Sequence, residues 1–268
     1  MAMKLVTWNV NGIRAVERKG ELTALVDAEK PDFFLVQEIK GNVEQFSKYL
    51  TDHPGYAQFY HSAEKKGYAG SGLWVARALY ESLETVEFHT DVPHMPAADE
   101  GRVSWLSFAL DGKVHDLLSV YFPNGGKSEQ AWREKLVFYD RIHDHMNRLR
   151  DAGHVVIVGG DMNVAHTEID IARPKENDGK IGFHPDERAW MDRVTADGWV
   201  DVWRALHPGV TDVYSYWDLV TRARERNVGW RIDYFLADRS LLGRVAEVEY
   251  LDRQMGSDHC PLRMTLKR

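Results

Sequence analysis

The sequence predicts an α/β protein of a single domain, in which β-sheets pack face to face and helices lie outside. Three observations predict it. Short β-rich runs recur along the chain; some alternate strictly, as in VSWLSF, while others are apolar throughout, as in HVVIV; and helical patterns stand between some of them. Half-buried and fully buried strands in one chain call for a sheet-on-sheet interface and an outer layer of helices. No internal repeat, low-complexity tract or Pro/Gly/Ser linker divides residues 1–268, which read as one domain.

The strands expected, in order, are KLVTW (4–8), DFFLVQ (32–37), GLWVA (72–76), VSWLSFAL (103–110), VHDLLSVYF (114–122), HVVIVGG (154–160), RIDYFLA (231–237), VAEVEYL (245–251) and PLRMTL (261–266). Each is rich in β-branched, aromatic or aliphatic residues. The clearest helix opens at Ser128, a good N-cap, carries Trp132, Leu136, Tyr139, Ile142, Met146 and Leu149 at spacings of three and four, and stops at Gly153. A second begins near Pro185 and runs through Trp190, Met191 and Val194 to Gly198, and a third lies around Leu22 to Ala28.

Hydrophobic residues make up 44% of the chain and aromatic ones 11%, ample for a continuous core. No run is apolar and long enough for a membrane helix, and MAMKLVTWNV lacks a signal-peptide pattern, so the expected location is cytoplasmic, without a membrane. The single cysteine, Cys260, excludes an internal disulfide and a cysteine zinc cluster. A net charge of −7 argues against indiscriminate binding to polyanions. It is compatible with an enzyme that gathers carboxylates in a site and keeps a local basic rim.

Polar residues cluster where the strands end. In GGDMN, Asp161 and Asn163 follow HVVIV with a two-residue spacing that points both side chains the same way on an extended segment. Asn9 and Asn11 repeat the spacing in WNVNG, Glu38 ends FLVQ, and Tyr121 and Asn124 close the run that Pro123 breaks. Asp233 falls inside a strand, while Asp258 and His259 precede the last one. Taken singly, each Asp or Asn is equally well explained as a turn former. A buried Asp233 needs a partner, however, and His259 is available to be held in one tautomer. Six such ends together point to one site. There is no Walker or Rossmann phosphate cradle and no Ser or Cys nucleophile elbow. Oxygen ligands without Cys suit Mg²⁺ or Mn²⁺ rather than zinc, and carboxylate, amide, Tyr and His groups around such an ion describe phosphodiester hydrolysis.

The segments WNVNGIRA, QEIK, AEKKGYAGSGL, YFPNG, GGDMNVAHTEIDIARPK, GFHPDERAW, NVGWRIDYFL and GSDHCPL, in this order from Lys4 to Leu262, resemble the exonuclease III family of abasic-site endonucleases, within the endonuclease/exonuclease/phosphatase superfamily. The resemblance implies a four-layer α/β sandwich with two mixed β-sheets. It makes Glu38 the principal Mg²⁺ ligand, helped by Asp258 and the amides Asn9 and Asn11, with Asp161, Asn163 and His259 also around the ion. Asn11 stands where some relatives carry Asp. Asp161 matches the residue that orients or deprotonates the attacking water, and Asn163 its partner. Tyr121 and Asn124 match phosphate contacts, and His259, oriented by Asp233, matches the group gripping the scissile phosphate.

Within YSYWDLVTRARERNVGWRIDYF (214–235), Tyr216, Trp230 and Ile232 match residues lining a pocket for a flipped, base-less sugar. Arg222, Arg224 and Arg226 are candidates for DNA phosphates. Lys127 and Val220 stand where some relatives place a groove-inserting Arg and a larger apolar wedge. The expected function is Mg²⁺-dependent cutting 5′ to an abasic site, leaving a 3′-hydroxyl, with 3′-end trimming, by a monomer acting on double-stranded DNA with abasic sites or blocked 3′ ends. Two other readings compete. One is a phospholipid or inositol-phosphate hydrolase, which requires a basic head-group pocket or a membrane-seeking loop that the sequence does not display. The other is a DNA-binding protein with an idle site, which predicts binding without turnover.

Overall fold

The computed structural model describes residues 2–267. Twelve strands run in chain order: β1 (Met3–Asn9), β2 (Phe33–Gln37), β3 (Tyr56–His61), β4 (Ser71–Ala76), β5 (Glu84–His89), β6 (Val103–Leu110), β7 (Lys113–Tyr121), β8 (Val155–Asp161), β9 (Trp199–Asp201), β10 (Asp233–Asp238), β11 (Val245–Tyr250) and β12 (Leu262–Leu266). They form two six-stranded sheets, ordered β11-β12-β1-β2-β4-β3 and β5-β6-β7-β8-β10-β9. Both sheets are mixed. Each has one parallel pair at its centre, β1 with β2 and β7 with β8, and its other neighbours are antiparallel.

Alternation along the strands builds the layers, because successive side chains point to opposite faces. Leu5, Phe33, Leu35, Leu117, Ile157 and Phe235 meet between the sheets. Their neighbours Val6, Phe34 and Val36 face a second cluster with Ile13, Val16, Leu22 and Val26 from the helices Ile13–Arg18 and Glu21–Glu29. On the other sheet, Leu118, Val158, Tyr234 and Leu236 face Phe138, Tyr139, Ile142, Trp190 and Val194 from the helices Glu129–Asp151 and Pro185–Ala196. The layers are therefore helix, sheet, sheet, helix. HVVIV is apolar on both faces because β8 is covered on both.

The long helix starts as expected: Ser128 accepts a hydrogen bond from Ala131 N. Pro185 opens the second, capped by His184. The expected strand containing Asp233 is corrected at its start, since Asp233 opens β10 and Arg231 and Ile232 precede it. Three strands escape sequence reading, β3, β5 and β9, and all three are sheet edges. An edge strand has one partner and, where half-exposed as β3 and β5 are, no need of a continuous apolar face, so its sequence carries a weak period. No helix among the described residues is long and apolar enough to cross a membrane.

Candidate active site

Parallel pairing at the centre of each sheet explains where the site lies. In β1/β2 the register ends with Asn9 beside Gln37, and in β7/β8 with Tyr121 beside Asp161, so four strand ends open on one edge of the sandwich. β10 runs antiparallel to β8 and starts there, with Asp233 opposite Asp161. β8 can approach β7 closely because position 160 is glycine at φ 151°, where a Cβ would stand 2.0 Å from Val120 O. The loop before β12 is tied to the same edge, since Trp8 Nε1 donates to His259 O at 3.0 Å and Ser257 Oγ to Asn9 O at 2.8 Å.

Asn9 bridges the two sheets: its Nδ2 donates to Glu38 Oε2 and to Asp161 Oδ2, each at 2.9 Å. Asn11 Nδ2 donates to Asp258 Oδ1 at 2.9 Å. Lys40 Nζ lies between Glu38 Oε1 at 2.8 Å and Asn11 Oδ1 at 2.5 Å. Asn11, Glu38, Lys40 and Asn163 all have left-handed backbone, with φ of 44°, 58°, 48° and 51°. Ten other non-glycine residues among those described share this backbone region, so it marks tight turns along the chain, and here it marks the turns that follow β1, β2 and β8.

On the second sheet, Asp161 Oδ1 accepts from Asn163 N at 2.8 Å and Oδ2 from Asn163 Nδ2 at 3.2 Å. Asn163 Nδ2 also donates to Phe122 O at 2.8 Å. His259 Nδ1 donates to Asp233 Oδ2 at 2.8 Å, which leaves Nε2 facing Asp161 Oδ2 at 3.8 Å. Burial disfavours a charged imidazole, but the Asp233 and Asp161 carboxylates outweigh it and hold His259 up to about 10. Burial also pushes Asp161 up to about 7, against His259 and with Asp233 adding to the rise. Tyr121 rests on the Arg102 guanidinium, 4.6 Å from its ring centre. Burial and then Glu38 keep its hydroxyl protonated well above the ordinary range, against the pull of Arg102.

These groups line a cavity of about 390 Å³. Of the residues expected from sequence, Asn11, Glu38, Tyr121, Asn124, Asp161, Asn163, Tyr216, Trp230, Ile232, Asp258 and His259 face it. Asn9 and Asp233 are buried just behind. Tyr216 and Trp230 exchange two backbone hydrogen bonds, each at 2.9 Å, which ties the pocket wall together. Lys127 lies instead in an adjoining groove of about 470 Å³, which shares Tyr121 and Asn124.

Arg224 does not offer a free guanidinium. Its Nη2 donates to Asp252 O at 2.6 Å and Gln254 O at 2.7 Å, and the group packs 4.6 Å from the Trp217 ring centre, so it braces two loops. Arg222 is exposed and outside the cavity. Sequence reading missed Lys40, Asp218, Ile181 and Gly182, all of which line it. Lys40 alone had a signal, the same two-residue spacing from Glu38 that marks the other pairs.

Asp161, Asp233 and His259 form the one His/acid group among the described residues whose ligand atoms, within 4.8 Å of one another, could hold a metal ion. Asp233 and His259 are hydrogen-bonded to each other, which favours an orienting pair over two ligands. The oxygens of Glu38, Asn11 and Asp258 are a second donor set, with the Lys40 ammonium seated between Glu38 and Asn11, while Asn9 turns its Nδ2 to Glu38 and its Oδ1 to Asn11 N at 3.0 Å. An all-oxygen set fits a hard divalent ion.

Two mixed sheets with a carboxylate, amide and histidine site on their shared edge define a class of hydrolytic nucleases and phosphatases. The chain belongs to the Endonuclease/Exonuclease/phosphatase family, whose family model matches residues 6–259, and within it to the exonuclease III-type AP endonucleases. It is 33% identical over 264 residues to the exodeoxyribonuclease of Bacillus subtilis (strain 168), covering 98% of this chain and 99% of that protein. DNA repair nuclease APEX1 of Danio rerio is 32% identical over 266 residues, covering 98% of this chain and 82% of that protein. The crystal structure of AP endonuclease LMAP from Leishmania major matches with a TM-score of 0.88 at 29% identity, over 100% of this chain and 88% of that one.

Proposed function

We propose that the chain is a Mg²⁺-dependent DNA-repair phosphodiesterase that cuts the backbone 5′ to an abasic site, leaves a 3′-hydroxyl and trims blocked 3′ ends. The observation that carries this reading is the cross-sheet contact of Asn9 with Glu38 and Asp161, at the floor of a cavity walled by Tyr216 and Trp230. Asp161, poised near neutrality by burial, is suited to take a proton from the attacking water. His259 Nε2, with Asp233 stabilising its positive form, donates to a non-bridging phosphate oxygen. Tyr121, Asn124 and Asn163 add neutral donors.

Glu38, Asp258, Asn9 and Asn11 would hold Mg²⁺, with Mn²⁺ as a substitute. When bound, the ion supplies charge neutralisation at the phosphate and leaving oxygen. Tyr216, Trp230 and Ile232 wall the space for a sugar without a base, which flips without breaking a base pair. The proposal extends to a monomer at work in the cytoplasm, where buried Cys260 needs no oxidising partner.

The test is incision of an end-labelled duplex carrying one abasic analogue, beside the intact duplex, with Mg²⁺ and with excess chelator. Metal-dependent cutting confined to the abasic strand is expected. Folded protein that binds the duplex without cutting it would favour the idle-site reading instead.

A further inference from the structure

The Glu129–Asp151 helix carries a lysine in its apolar stripe that no step of the proposed reaction uses. Lys135 is fully buried, on the face that also holds Phe138, Tyr139 and Ile142. Its Nζ donates to the backbone carbonyls of Asn124 and Asn163, each at 3.0 Å, and contacts the buried Glu187 carboxylate. An ammonium has three donors and no acceptor, and here two of them go to the carbonyls while the Glu187 carboxylate balances the charge. Glu187 Oε2 in turn accepts from Gly182 N at 2.7 Å and His184 N at 3.0 Å. One buried pair thus joins three loops that are far apart in sequence, and each supplies the cavity: Asn124 from the first, Asn163 from the second, Ile181 and Gly182 from the third.

The fit is close. Gly125 has φ 81°, and a Cβ there would stand 2.9 Å from Lys135 Cδ, so the lysine stem occupies the space a side chain would need. Burial lowers the pKa of the ammonium, and Glu187 opposes that fall. A buried ion pair adds little net stability over well-packed apolar residues, so stability alone gives no reason for a lysine here. What the pair does supply is the position of two carbonyls whose own side chains face the cavity.

We propose that the Lys135–Glu187 pair is a positioning hub, which fixes Asn124 and Asn163 against the reacting phosphate and holds the 181–184 loop beside them. The inference rests on the phosphodiesterase reading for its kinetic consequence, but not for its structural one. The test uses Lys135→Met/Glu187→Gln, which removes both charges together and leaves a side-chain oxygen for Gly182 and His184. Backbone amide exchange is expected to quicken in residues 122–126 and 161–165 and to stay unchanged in residues 155–159. On an abasic duplex, kcat is expected to fall about 10- to 100-fold, with KM within about threefold of wild type.

Wild-type exchange in those loops, or wild-type kcat, in the folded double variant overturns the proposal. Should that variant fail to fold, Lys135→Arg, which keeps the charge and displaces the donors, takes the same two measurements under the same criteria. If the wild type cuts no duplex, the phosphodiesterase reading falls by itself, and the exchange measurement still decides whether Lys135 holds the loops.

Discussion

Asp161 receives hydrogen bonds from Asn9 and Asn163 while lying 3.8 Å from His259 Nε2, so removing its charge tests chemistry more than packing. Asp161→Asn is expected to lower single-turnover incision by about 10²- to 10⁴-fold, the range of a positioned general base, with little change in melting temperature. Activity within about tenfold of wild type would remove the water-activating role. The pH dependence has a definite sign. His259 is held at about 10, above its ordinary 6.5, so it contributes stability that is whole below pH 6.5 and drains as pH rises towards 10. Asp161, raised from 3.8 to about 7, acts in the same direction over the lower interval. Metal-free protein should therefore melt at a lower temperature at pH 9.5 than at pH 6.5, and His259→Gln should flatten the upper part of that slope. A wild-type melting temperature that is flat there would mean the imidazole is not held protonated. At this scale a two-residue spacing at a strand end made the placement of Asn11, Asp161 and Asn163 at one cavity legible, though Lys40, which has the same spacing from Glu38, went unread. Lys135 was not, because its partners are loops made neighbours only by the fold.

Among the elements, the pocket segment is set by Arg231, which stands between Trp230 and Ile232 and points the other way. It is fully buried, with Nε 2.7 Å from Asp170 Oδ1 and Nη2 2.6 Å from Asp201 Oδ2. Burial would raise the Asp170 carboxyl, but Arg231 and Arg204 hold it well below the usual carboxylate range. Arg231→Met leaves buried Asp201 without its cation and Asp170 with Arg204 alone, and a loss of about 3–5 kcal/mol in urea unfolding is expected. A loss under about 1 kcal/mol would mean that the network does not anchor this segment. The central strands and long helices were readable because burial on both faces or on one stripe writes a strong period. β3, β5 and β9 were not, since β9 has only 3 residues and β3 and β5 are half-exposed edges without a buried apolar face, whereas the edge strand β11 keeps Val245, Val248 and Tyr250 buried.

For the whole molecule, a net charge of −7 limits how DNA can be held. Arg224 is committed to loop carbonyls, Lys40 is the one Lys or Arg among the described residues that lines the cavity, and Arg102 and Lys127 line the adjoining groove. Binding of a metal-free abasic duplex, followed by anisotropy, is expected to weaken with salt at a log–log slope of about −2 to −4, or roughly two to four phosphates at 0.9 each. A slope steeper than about −8 would reveal a broad basic face. The two-sheet layering was foreseeable from the mixture of strand types. The strand order was not, because pairing of β1 with β12 joins segments that share no local signal.

That pairing joins the two ends of the described chain. β12 inserts between β1 and β11, and the cluster it completes draws on residues from Asn9 to His259. A nascent chain released before Leu262 has an open edge on β1, and one that stops before Asp258 has no imidazole to face Asp161. Synthesis delivers the N-terminal strands first and long-range pairing is slow, so the edge of β1 and the imidazole facing Asp161 are completed only when the segment from Ser257 to β12 has docked.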